Sequence, residues 1–492
     1  MKLQQACYIT TVCLHTSVLF FKQQSFAIIS FLPAAVKTPA FYYLTTENLL
    51  MNNKLIFWSV VVALGGFLFG MDVAVISGAE KKIQQLWSLS DVLHGQAIAI
   101  ALYGTVIGAL FGGIPSEKYG RKKMLFIIGI IYLVSSIGAA VAQDVTTFMI
   151  FRFIGGLGVG ASSIVAPMYI SEIAPAKTRG RLVAIFQFNI VFGILVSYFT
   201  NYLIRGMGEN DWRWMLGIVA IPSVIFIVLL FFVPESPRWL MVKRKEYDKA
   251  RAILAVSDPT GADDAIAAIQ KDVEEEKQKA GLGTFFSGRF NKQIFMAFLI
   301  AAFNQLSGIN AIIYFAPRVF EMAGIGEDAA FLQSAGVGLV NLIFTMLGMV
   351  LIDKLGRKKL MLIGSIGYII SLAVVAAAFY FKWQGMVVPV FVFLFIASHA
   401  IGQGAVIWVF ISEIFPNQVR SYGQTLGSST HWVLAAVVSA AFPFFANLPS
   451  IGPAKIFMFF TVMMVLQLLW VLFKMPETKG VSLEELEKKM SV

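Results

Sequence analysis

The chain has 492 residues, 58% of them hydrophobic and only 14% charged. Ordinary soluble domains are nearer half apolar and about a quarter charged, so a soluble enzyme or a free cytosolic domain is excluded. The formal charge of +11 does not mark a nucleic-acid binder. Its Lys and Arg gather in short loops between apolar runs, where such charges set membrane topology.

Residues 1–50 differ from the rest of the chain. They mix apolar runs with polar breaks, and Tyr8–Phe21 resembles a signal segment except that its basic n-region is thin, with Lys2 alone. Met51 followed by Asn52, Asn53 and Lys54 reads as a natural start. The first 50 residues are expected to be an upstream extension or a disordered tail. Cys7 and Cys13 lie there, which leaves no disulfide framework or thiolate site for the main body. The histidines His15, His94, His399 and His431 are scattered, and no metal is expected.

Apolar segments then fall at about 55–78, 93–115, 123–143, 147–173, 181–203 and 213–233. A charged stretch runs on to about 290, and six more apolar segments come at about 291–315, 327–351, 359–381, 386–414, 421–445 and 454–474. Each is long enough for a membrane helix of about 20 residues. E-K-Y-G-R-K-K at 117–123 returns as D-K-L-G-R-K-K at 353–359, at equivalent points of two hydrophobic halves. Duplicated halves meeting at the bilayer midplane are the usual build of secondary transporters. The loops with Lys118, Lys177, Arg179, Lys354 and their neighbours are basic, whereas the opposite loops carry Arg205, Glu209 and Asp211. The positive side is cytoplasmic, and an even number of spans puts both termini there.

The stretch beginning P-E-S-P-R-W-L at 234–240 has Ala250, Ile253 and Leu254 at helical spacing, and predicts short amphipathic cytoplasmic helices. Near the C-terminus Ser482 and Glu485 form a capping-box pattern. The expected order is an extension (1–50), a six-helix bundle (51–233), linker helices (234–290), a second bundle (291–474) and a cytoplasmic tail (475–492).

These motifs resemble one family when taken in order. They are R-F-I-G-G-L-G-V-G at 152–160, P-M-Y-I-S-E-I-A-P at 167–175, P-E-S-P-R-W-L, Q-L-S-G-I-N at 305–310, S-E-I-F-P at 412–416 and P-E-T-K-G at 476–480, with the two G-R-K-K turns. The chain resembles the sugar porter family of the major facilitator superfamily over residues 54–488. The resemblance implies an all-α membrane protein of twelve transmembrane helices in two pseudo-symmetric six-helix bundles. It implies a monosaccharide:proton symporter of the cell membrane, without cofactor and acting as a monomer.

Asp72 lies late in the first apolar segment and Arg152 opens the fourth. A carboxylate inside a bilayer costs about 2.5–3.5 kcal/mol and needs a partner. A pair that opens and closes changes how readily the carboxylate holds a proton. The resemblance gives Asp72 and Arg152 this proton-coupling role.

Sugars need uncharged donors and acceptors plus a flat apolar face, which amides and Trp supply. Gln187, Asn304, Gln305, Asn310, Asn341, Trp408, His431 and Trp432 are such residues within spans, and the resemblance places them around a central hexose site. Three positions depart from the family pattern. Asn304 precedes Gln305 where the family has Gln-Gln, Gly404-Ala405 replaces Gly-Pro, and His431 stands where Gln or Asn is usual.

Glu117, Arg121, Glu172 and Arg181 in the first half, and Asp353, Arg357, Glu413 and Arg420 in the second, are expected to form a cytoplasmic charge latch. Single surface pairs contribute about 0–1 kcal/mol, so a latch must act as a network. Two readings stand beside symport: a proton-independent facilitator or exchanger, and a transporter-like sugar sensor, which the short tail disfavours. No nucleophile–base pair or nucleotide loop suggests an enzyme.

Overall fold

The computed structural model describes residues 53–276, 281–416 and 418–481. The expected extension at 1–50 and the capping box at Ser482 lie outside the described residues. Regular structure among the described residues is entirely helical, and twelve helices are long and apolar enough to cross a membrane. They are α1 Asn53–Leu86, α2 Asp91–Phe111, α3 Arg121–Val141, α4 Val145–Ile173, α5 Arg179–Ile204, α6 Asp211–Leu230, α7 Asn291–Met322, α8 Glu327–Leu355, α9 Arg357–Tyr380, α10 Val387–Ile414, α11 Arg420–Asn447 and α12 Gly452–Phe473.

Two spans run well past their apolar segments. The first, expected to end near 78, continues to Leu86, and the seventh, expected to end near 315, continues to Met322. Hydropathy stops at the first charges, but the helices carry Glu80, Lys81, Lys82, Arg318 and Glu321 onward because those charges find partners. The seventh span is also broken. Gly308 takes φ +85° between Leu306 and Ile309, and Phe315 is non-helical at φ −125°, two residues before Pro317.

The packing repeats when each helix is advanced by six. Contacts of α1 with α5, α2 with α4 and α3 with α6 recur as α7 with α11, α8 with α10 and α9 with α12. The halves meet through α2 against α11 and α5 against α8, which exchange under the same operation. Between Pro237 and Glu276, short helices gather Trp239, Leu240, Met241 and Ala250 into a small second core. Ser236 caps the first of them by accepting from the Trp239 N–H.

Lipid tails are as apolar as leucine, so membrane helices associate through close packing at small residues. Gly156 on α4 lies against the Ala101 carbonyl of α2, where a Cβ has no room. Gly156→Val is therefore expected to destabilise the bundle by about 1–3 kcal/mol, read as a lower Tm and a smaller monodisperse fraction in detergent. Gly113, with nothing near its would-be Cβ, is the control: Gly113→Ala is expected to leave both readings unchanged.

Candidate functional site

Asp72 and Arg152 are both buried, at 5% and 2% exposure, so a charge on either needs the other. Arg152 Nη1 donates to Asp72 Oδ1 at 2.7 Å, and Nη2 reaches the Asp72 backbone carbonyl at 3.3 Å. Gly155, nearly one turn after Arg152, keeps the space beside the carboxylate open to α3: a Cβ there would strike Ser135 Oγ and lie 3.6 Å from Asp72 Oδ1. The Arg152 Nε–H has no partner among the described residues, so the pair is closed but unsaturated.

Six of the eight expected sugar-site residues form one contact chain. Asn304, Gln305 and Asn310 sit on either side of the Gly308 break, buried. Gln305 Nε2 donates to Asn304 Oδ1 at 2.9 Å, and Asn310 Nδ2 donates to Gln305 Oε1 at 2.8 Å. Both ring nitrogens of His431 lie 3.2 Å from Gln305 Nε2. The His431 ring stands 5.1 Å from Trp408 and 4.8 Å from Trp432, centroid to centroid. Trp408 is 41% exposed although it lies within a span, so its face is open. Gln187 and Asn341 stand apart from this chain. Gln187 is half-buried with no side-chain partner among the described residues, and Asn341 accepts from Thr345 at 3.3 Å.

The aromatic cluster also meets the ion pair's helix. The Phe69 ring packs 5.8 Å from Trp432, and Phe69 precedes Asp72 by a little under one helical turn on α1.

The two basic turns build the same structure twice. Arg121 holds Glu172 through Nη2–Oε1 at 2.9 Å and Nε–Oε2 at 3.0 Å, and adds Glu117 at 2.5 Å. Arg357 holds Glu413 at 2.7 and 3.0 Å and reaches Asp353 at 3.4 Å. Gly120 and Gly356 open α3 and α9 at φ +102° and +88°. A Cβ at either would strike a carboxylate, Glu235 or Glu477. Those two carboxylates take no part in the expected latch, yet each caps a helix. Glu235 accepts from the Arg121 and Lys122 N–H groups at 2.9 and 3.0 Å, and Glu477 from Arg357 and Lys358 at 2.9 and 3.0 Å. An anion at a helix N-terminus meets free N–H groups and the positive dipole end.

Two latch residues are corrected. Arg181 is exposed with no carboxylate partner among the described residues, and Arg420 donates to the Phe415 backbone carbonyl at 3.3 Å rather than to Glu413. Each lies a short way along the chain from its expected carboxylate, but Arg121 and Arg357, which open α3 and α9, reach those carboxylates first. Each cluster also stays within its own six helices and the segment that directly follows them.

Ion pairs between the halves appear at the opposite end, among charges that carry no motif in the sequence. Arg318 on α7 donates to Glu80 on α1 at 2.9 Å and to Gln84 at 2.6 Å. His94 on α2 brings Nε2 within 3.0 Å of the same Glu80 carboxylate. Around them lie Lys81–Glu321 at 2.5 Å and Arg205–Asp328 at 2.6 Å. Glu80 and His94 are fully buried, so this end is shut.

Known proteins share this architecture. The family described as "Sugar (and other) transporter" matches residues 58–490. The arabinose-proton symporter of Bacillus subtilis (strain 168) is 37% identical over 437 residues, 87% of this chain and 94% of that protein. The D-xylose-proton symporter of Escherichia coli (strain K12) is 35% identical, over 89% of this chain and 96% of that protein. Among solved structures, the inward open conformation of the E. coli xylose transporter XylE superposes with a TM-score of 0.78 at 34% identity, covering 88% of this chain and 98% of that one.

Burial pushes the Glu477 carboxyl up, but the N–H groups of Lys479, Arg357, Lys358 and Thr478 outweigh it and hold the carboxyl below the ordinary glutamate value. A depressed carboxylate stabilises the fold above its unfolded pKa, about 4.3, and loses that contribution as pH falls through its folded value. The Tm difference between the wild type and Glu477→Gln is thus expected to be constant from pH 7 to about 5 and to shrink below about pH 4. A difference independent of pH contradicts the capping role.

Proposed function

The chain belongs to the sugar transporter family, and on that premise we propose that it imports a hexose or pentose together with a proton, by alternating access, as a monomer in the cell membrane. The observation that carries the reading is the buried Asp72–Arg152 pair, linked through Phe69 and Trp432 to a cluster of amides and aromatic rings. The proton coupling named for the arabinose and xylose relatives supports it. The basic turns face the cytoplasm, where loops rich in Lys and Arg are retained. The end closed by Glu80 and Arg318 is then external.

The chemistry follows from charge. With Asp72 ionised, its pair with Arg152 fixes α1 against α4. A proton on Asp72 neutralises the carboxyl and releases Arg152, so α1 can shift. Because Phe69 lies within a turn of Asp72, that shift moves its ring against Trp432. Sugar packs its apolar face on Trp408 and Trp432 and exchanges hydrogen bonds with Gln305, Asn310 and His431. Gln187, from the first half, meets the same sugar when the halves rock together. Switching states needs a bias of only a few kcal/mol, within the energy of one buried pair. Asn304 and His431, which depart from the family pattern, tune which sugar fits.

In sealed right-side-out vesicles without an imposed gradient, adding a transported sugar from a panel of xylose, glucose, galactose, arabinose and fructose is expected to alkalinise the medium. Asp72→Asn should abolish both that signal and accumulation while sugar exchange persists. Wild-type uptake that ignores the proton gradient points instead to a facilitator. Arg318→Ala should loosen the external closure. A cysteine introduced at Ser77, beside Glu80 and Arg318, should then react several-fold faster with an impermeant maleimide added outside. An unchanged rate contradicts the gate.

A further inference from the structure

Behind the sugar-site amides runs a second polar chain, wholly buried and away from any open face. Ser365 on α9 donates to its own helix at the Met361 carbonyl, 2.7 Å. Gln467 on α12 donates from Nε2 to Ser365 Oγ at 2.8 Å. Gln403 on α10 donates from Nε2 to Gln467 Oε1 at 2.8 Å. Asn304 Nδ2 then reaches Gln403 Oε1 at 3.5 Å, the longest link. Ser365, Gln403 and Gln467 are fully buried. Gln403 lies in a π-helical turn, Ala400–Gly404, at the site where Gly404-Ala405 replaces the family's Gly-Pro. Such wide turns often mark functional positions.

We propose that Ser365, Gln467 and Gln403 are positioning residues that fix the hydrogen-bonding sense of Asn304, Gln305 and Asn310, and so decide where the sugar site offers acceptors. This rests on the sugar-transport reading of that site. An amide has a donor end and an acceptor end, so a row of amides can run in either of two senses. Reversed, the row would have Ser365 donating to Gln467, every amide flipped, and Asn310 presenting its NH2. The Met361 carbonyl can only accept, so it draws the Ser365 proton and leaves Ser365 Oγ as acceptor. Each amide downstream is then set in turn. Gln305 Nε2 points at Asn304 and His431 as a donor, and Asn310 Oδ1 remains as the terminal acceptor, fit for a sugar hydroxyl. The π turn supplies the geometry, since it brings Gln403 between α7 and α12.

A buried amide left without its partner tends to flip or to draw water. Gln467→Met, of similar length but unable to bond, should weaken binding of the best sugar in the panel about tenfold, raising KM with little change in kcat. Gln467→Glu, as the neutral acid, can still accept from Gln403 and donate to Ser365, and should restore most of the affinity. The deciding comparison is a double-mutant cycle with Asn304→Ala, which cuts the chain downstream. Gln467→Met should then add nothing further. Equal weakening in both backgrounds, or a fall in kcat and Tm with KM unchanged, overturns the relay and leaves Gln467 as a packing residue. Gln403→Met repeats the cycle if Gln467→Met fails to fold. A wild type that binds no sugar overturns the transport reading, and this inference falls with it.

Discussion

A charge removed from water into a lipid-embedded bundle must find an opposite charge, and Asp72 with Arg152 is the pair on which this molecule turns. Lipid offers no alternative partner, so this pair ties α1 to α4, and in the proposed mechanism protonation of Asp72 would loosen that tie. The same constraint acts further along α1. Glu80 is buried between the halves and is held by Arg318 and His94. One helix therefore carries two acidic groups with different partners. Asp72 is satisfied within the first half and Glu80 is satisfied chiefly across to the second. On the proposed mechanism, that division lets α1 respond both to a proton and to the closure of the halves.

The duplication in the sequence is close in the turns and broken in the interior. Arg121–Glu172 with Glu235, and Arg357–Glu413 with Glu477, are the same device built twice, down to a lysine on a carbonyl in each: Lys122 on Phe231 and Lys358 on Leu472. Each clamps one six-helix half to its own linker or tail segment. Inside the membrane the halves diverge. The first keeps the ion pair, and the second keeps the amides of α7, α10 and α12 with the rings of α10 and α11. The ion pair and the amide cluster thus sit on opposite halves, and Phe69 on Trp432 is where they touch.

The spans were legible because each is a long apolar run. Asp72 and Arg152 were legible because a charge inside such a run is rare enough to stand alone. The ends of α1 and α7 were not legible, since Glu80, Lys81 and Arg318 look like loop charges until the two halves are brought together. Arg181 and Arg420 were misplaced for a related reason. Nearness along the chain suggested them, whereas the carboxylates bond residues 51 and 56 positions away. Glu235 and Glu477 stood in quoted motifs, but capping a distant helix leaves no local pattern. Gln403 and Gln467 had no signal either, because an amide in a span looks the same whether it meets sugar or another amide.

The central claim is that proton and sugar move as one through Asp72. Its most direct test is thermodynamic. In proteoliposomes holding the purified protein at zero membrane potential, a fixed pH difference is imposed and the sugar is allowed to reach its final distribution. With one proton carried per sugar, each pH unit should sustain about a tenfold sugar gradient, since one unit is worth about 1.4 kcal/mol. A final ratio of one at every imposed pH difference would contradict the account.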